Sequence, residues 1–144
     1  MDLVVSSVIG AVIASIATAG ATWWVSIRLD RQRENRQLSA AVGVVSAEIK
    51  ENVRRLARAN CDLKDLTMGD WGKNKATLAA LALRANDHLW ERVVELYGEI
   101  FEAQQGRAEP PTPEHLQSLV GLLAAEQSHL EREIKGFRSL GRTK

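Results

Sequence analysis

From Leu3 to Ile27 the chain runs for twenty-five residues without an ionisable side chain, and Arg28, Asp30, Arg31, Arg33, Glu34 and Arg36 follow at once. Bilayer hydrocarbon is about 30 Å thick and a helix rises about 1.5 Å per residue, so roughly 20 apolar residues suffice to cross it. The stretch is long enough to span. Lipid offers no hydrogen-bond partners, so a spanning segment must satisfy its backbone internally, which an α-helix does. The sequence therefore predicts a transmembrane anchor at 1–27 and a cytoplasmic helical domain at 28–144, in an all-α chain.

Orientation follows from the flanks. No Lys or Arg precedes the stretch, and four arginines fall within nine residues after it. The positive-inside rule then predicts a single-pass protein of the inner (plasma) membrane, amino terminus outside and carboxyl terminus in the cytoplasm. Trp23 and Trp24 stand at the cytoplasmic end, where indole rings favour the headgroup level, and Arg28, Arg31, Arg33 and Arg36 complete the expected membrane boundary. A cleaved signal peptide would need a basic amino-terminal region and a shorter apolar core, although Ala17-Thr18-Ala19 loosely imitates a cleavage site. A buried helix of a soluble core seldom runs this long without charge.

Residue size is segregated around the anchor. At about 100° per residue, Ser7, Gly10, Ala14, Ala17, Thr18 and Ala21 share one side with Ala11, Ser15 and Thr22, while Val5, Val8, Ile9, Val12, Ile13 and Ile16 share the other. Small residues let helix backbones approach closely in lipid. Ser7, Gly10, Ala14, Ala17, Thr18 and Ala21 are accordingly the expected helix-helix interface, with a second copy or with another membrane protein. The hydroxyls of Ser7, Ser15, Thr18 and Thr22 would also suit the wall of an oligomeric pore.

Beyond the anchor about 115 residues remain, enough for one small domain. Across the whole chain 19 basic side chains balance 18 acidic ones, which gives no reason to expect nucleic acid as a partner. Cys61 is the only cysteine, so no intramolecular disulfide can form. Abundant Ala, Leu, Glu and Arg, with few aromatics, favour helix throughout and give the chain a bacterial or phage-like composition.

Apolar residues at alternating steps of four and three run through Leu38, Val42, Val45, Ile49, Asn52, Leu56, Ala59, Leu63 and Leu66, a heptad seam of coiled-coil type with one polar interruption. Stepping backwards from Leu38 reaches the small face of the anchor. Gly43, weakly helix-forming, marks a close contact on this helix. Thr67 to Asn74 has the Gly and Asp/Asn content of a turn, and Trp71 within it is expected to fold back onto the core. Helices are thus predicted at about 28–66, 76–105 and 113–140, the middle stretch as a short piece to Arg84 and a longer one from Asp87, in an antiparallel hairpin or three-to-four-helix bundle. In the second, Asp87 is a candidate N-cap and Leu89, Trp90, Val93, Val94, Leu96, Tyr97, Ile100 and Phe101 form a broad apolar face suited to a bundle interior. Gly106 and Pro110-Pro111 end it, and Thr112 caps a last helix with Pro113 in its first position. The last seam is again interrupted by one polar residue, Gln127, a candidate register partner for Asn52.

Catalytic patterns are sparse. Glu126-x-x-His129 has the spacing of two metal ligands on one helical face, but a carboxylate-bridged di-metal bundle needs that pair twice. His88 and His115 are isolated near helix starts, and Arg54, Arg55 and Arg58 opposite Glu48, Glu51 and Asp62 read as a salt-laced solvated face. No phosphate loop, nucleophile elbow or zinc spacing occurs. The expectation is a non-enzymatic membrane protein without cofactor or metal, a structural or accessory module that self-associates or docks on a larger membrane complex. An oligomeric pore or membrane-perturbing effector of phage or phage-defence type is the alternative.

Overall fold

The computed structural model describes the backbone of residues 2–58, 61–84 and 87–139, and the side chains of 18–58, 61–84 and 88–136. Four α-helices are formed: α1 (Asp2–Leu56), α2 (Gly69–Leu78), α3 (Asp87–Gln104) and α4 (Pro113–Ser139). Two short 3-10 segments, Leu63–Asp65 and Ala79–Leu83, complete an all-α fold with no strand among the described residues. The chain divides into two compact units, Met1–Glu34 and Asn35–Lys144.

In the first unit, Trp23, Trp24, Val25, Ile27 and Leu29 are all exposed. The Thr22 hydroxyl donates to the Thr18 carbonyl at 2.9 Å, so this polar group is satisfied within its own helix. Among the described residues no helix is long and apolar enough to cross a membrane. Most of the predicted span lies outside the described side chains, and with it Ser7, Gly10, Ala14 and Ala17 of the expected interface; Thr18 and Ala21 are exposed.

The second unit is built around the carboxyl-terminal half of α1. Leu38, Val42, Val45, Ile49 and Asn52 are buried by the chain's own later elements, so the seam is an intramolecular core rather than a surface for a second copy. Leu78, Leu81, Leu89, Val93, Leu96, Tyr97, Ile100, Leu116, Leu119, Leu123 and Leu130 close over it. Hiding a Leu or Ile side chain contributes about 1.5–3 kcal/mol, so these residues supply the main cohesive force.

Two expectations need correction. The seam helix stops at Leu56 instead of running to Leu66. Past that point Asp62 turns its side chain onto its own backbone, Oδ1 accepting from the Lys64 amide at 3.0 Å, the habit that makes Asp favour turns over helix interiors. Leu66 still reaches the core and Leu63 lies at its edge, but both arrive through a 3-10 turn. Leu56, the last seam position on the helix, is half-buried.

The second correction is that Thr67 to Asn74 is not simply a turn, because α2 begins at Gly69. Trp71 does fold back, packing at the edge of the core. The stretch from 76 to 105 breaks where expected, near Arg84: α2, which begins earlier at Gly69, passes into the second 3-10 segment, and α3 starts at Asp87. The broad apolar face of α3 is also only partly used. Leu89, Val93, Leu96, Tyr97 and Ile100 are buried, whereas Val94 and Phe101 are exposed.

The ends of the last two helices follow their sequence signals. Gly106 adopts φ 69°, the left-handed conformation that glycine enters without steric cost. Its amide donates to the Ala103 carbonyl at 3.0 Å and the Arg107 amide to the Glu102 carbonyl at 2.9 Å, the paired bonds of a Schellman termination. At the start of α4 the Thr112 hydroxyl accepts from the His115 amide at 3.2 Å, a capping bond.

Candidate functional site

The most organised polar cluster lies in the second unit, at the start of α2. The first amides of any helix have no partner within it and carry the positive end of its dipole. Here a carboxylate from another helix supplies the partner. Glu48 Oε1 accepts from the Asp70 amide at 3.0 Å and Oε2 from the Trp71 amide at 2.9 Å. The Tyr97 hydroxyl of α3 donates to the same Oε2 at 2.8 Å. Glu48 is only 6% exposed, and its bonds replace the water it has lost.

Aromatic rings wall the cluster. Trp71 stacks on Tyr97 with centroids 4.8 Å apart and planes 6° from parallel, and meets Trp90 at 5.5 Å. Burial, then the hydrogen bond to Glu48 and its charge, hold the Tyr97 pKa far above its ordinary value, so the hydroxyl keeps its proton and remains a donor. The oxygens of Glu48 are engaged by protein donors, so the group joins three helices.

Glu48 was expected on a solvated face. Its true place follows from its position three residues after Val45 and one before Ile49, on the edge of the seam, where a carboxylate meets whatever covers that seam. Its neighbours do form the expected surface pairs: Glu51 lies 3.5 Å from Arg54 and 3.2 Å from Arg55, and the Arg55 hydrogen bond holds the Glu51 pKa below its usual range. Arg55 also donates to the Asp65 carbonyl.

Asn52 does not pair with Gln127. Its amide clasps Thr67 instead, Nδ2 donating to the Thr67 carbonyl at 2.9 Å while Oδ1 accepts from the Thr67 amide at 2.9 Å and hydroxyl at 3.2 Å. A side-chain amide bonded to both backbone groups of one residue fixes that residue's position. Gln127 lies over Gly43, where a Cβ would sit 3.0 Å from its Nε2, so the glycine does mark a close approach. Gln104 donates to the carbonyls of Leu63 at 3.1 Å and Leu66 at 2.9 Å, tying α3 to the same turn.

A third cluster joins Asn35 to α4. Asn35 Nδ2 donates to Glu133 Oε2 at 2.9 Å, and Arg84 bridges both, contacting Glu133 at 3.4 Å and donating to Asn35 Oδ1. Between α3 and α4 a groove of about 690 Å³ is lined by His88, Leu89, Arg92, Leu122, Ala125, Glu126 and His129. Glu126 is buried and His129 exposed. Among the described residues no group of three His, Cys, Asp or Glu side chains is placed to hold a metal ion. His115 faces Glu99 of α3 at 3.4 Å.

Of the boundary residues expected in the first unit, Trp24 and Arg28 are in contact. The Arg28 guanidinium lies 4.5 Å from the centroid of the Trp24 ring, in cation-π contact, and both tryptophans are among the most exposed large side chains, Trp23 at 71% and Trp24 at 58%. Arg31 and Arg33 follow on exposed positions, as does Arg36 within the second unit.

Comparison of the chain with protein families, with curated proteins and with solved structures finds no match.

Proposed function

We propose that the chain is a single-pass membrane protein, anchored by Leu3–Ile27, whose helical domain serves a structural or accessory role on the cytoplasmic side. The observation that carries this reading is the exposure of Trp23, Trp24, Val25 and Ile27 at the end of a charge-free stretch, with Leu29 just beyond it among the arginines. Exposed apolar side chains in such number mark a surface for a membrane or another protein. Indoles beside arginines suit the layer where hydrocarbon meets headgroups.

Self-association, in this reading, belongs to the small-residue face of the anchor. The cytoplasmic seam from Leu38 to Asn52 is already buried by the chain's own helices. Cysteine placed at Ala14 or Ala17 in a Cys61→Ser background should cross-link to itself, or to a partner of defined mass, in native membranes. Extraction of the protein by alkaline carbonate, or failure of both positions to cross-link while a lipid-facing control at Val12 behaves alike, would refute it. A cysteine at the exposed Glu109 should react with an impermeant maleimide only after the cells are opened, which tests the orientation.

A further inference from the structure

We propose that Trp24, Arg28 and Arg31 form a binding site for the phosphate of an anionic phospholipid headgroup. The inference rests on the membrane reading above and adds to it a ligand and a place. On a helix these three residues follow steps of four and three, so they fall within about 60° of one another on one side. Asp30 and Glu34 lie about 90° or more from the centre of that side, and Arg33 falls one turn from Asp30, where it offsets an acid. The arginines nearest the indoles therefore present a locally cationic face although acidic residues are interspersed in the sequence.

The ring contact gives the site its shape. With the guanidinium 4.5 Å over the Trp24 centroid, the indole supports one group of Arg28 from below and restricts its rotamers. A guanidinium so supported recognises phosphate through paired N–H groups along its edge, which an ammonium cannot reproduce. Arg31 stands one turn further on, about 4.5 Å along the axis, close enough to share the same phosphate. Among the described residues no carboxylate pairs with Arg31, which leaves its charge available to a ligand. A zwitterionic headgroup also carries a phosphate, but its own ammonium competes for it; a phosphatidylglycerol or similar headgroup carries no such internal cation.

The test uses the full chain reconstituted into phosphatidylcholine bilayers containing a minority of phosphatidylglycerol, with acyl chains of one lipid brominated at a time. Bromine quenches nearby indoles, so Trp23 and Trp24 report which lipid surrounds them once the signal of a Trp23→Phe, Trp24→Phe variant, which retains Trp71 and Trp90, is subtracted. Two arginines near a surface predict about a five- to thirty-fold enrichment of phosphatidylglycerol over its bulk fraction. Arg28→Ala with Arg31→Ala should bring the ratio close to bulk, and Arg28→Lys with Arg31→Lys should keep only part of it. Equal quenching per mole by the two lipids overturns the site while leaving the anchor intact. Absence of quenching by either lipid overturns the membrane reading, and the site with it.

Discussion

The carboxylate of Glu48 and the backbone amide of Trp71 stand 23 residues apart in the chain and 2.9 Å apart in the fold. Through that bond a side chain of α1 completes the first turn of α2, a task normally left to the residue just before a helix. Met68, which holds that position, makes no capping bond of its own.

Removing the carboxylate should therefore cost more than a surface glutamate would. Glu48→Ala leaves two amides and the Tyr97 hydroxyl without their acceptor and should destabilise the protein by about 2–4 kcal/mol. Glu48→Gln retains an acceptor and should lose about half as much. Urea titration of the full chain in detergent, followed by far-UV circular dichroism, measures both; equal and negligible losses would show that the cluster does not hold α2.

Alkaline pH should weaken the fold through Tyr97. Its folded-state pKa is raised above the ordinary value of 10.0, chiefly by burial, so the native state keeps a proton that the unfolded chain releases near that value. Stability is fully present below pH 10 and falls as pH rises above it. Tyr97→Phe should flatten that decline while lowering stability at neutral pH by about 1 kcal/mol through the lost bond. Tm measured against pH for both proteins gives the comparison.

Asn52→Leu places an apolar side chain in an apolar seam yet should destabilise, because the amide and carbonyl of Thr67 lose the partner that holds them. A loss of about 1–3 kcal/mol is expected. A stabilised variant would show that the polar interruption serves no structural purpose.

At Gly43 the sign depends on size. Gly43→Ala should be neutral or stabilising by up to about 1 kcal/mol, since helix propensity improves and the atom in the way is the free end of Gln127. Gly43→Leu should cost about 1–3 kcal/mol through overpacking. Denaturant midpoints of the two variants separate these effects.

Features set by neighbouring residues were legible from the sequence. Thr112 and Pro113 announce the start of α4, and Gly106 announces the end of α3, because in each case the signal and its consequence lie within one turn. The seam from Leu38 to Asn52 was legible as well, since its period of three and four is the signature of one buried helical face. What escaped depends on distant partners. No local pattern reveals that Glu48 will cap α2, and without that cap Gly69-Asp70-Trp71-Gly72 reads as a turn. The same applies to Asn52, whose partner is Thr67 and not the polar interruption of the other seam. Val94 and Phe101 face outward because an apolar arc on α3 says how much could be buried, not how much the other helices are able to cover.

Asn35, the first residue of the second unit, is buried against Glu133 near the far end of α4, with Arg84 closing the triangle. The start of the helical unit and the last turns of α4 are therefore neighbours. Tension applied between residue 35 and the last turns of α4 would be borne first by this small clasp of Asn35, Arg84 and Glu133.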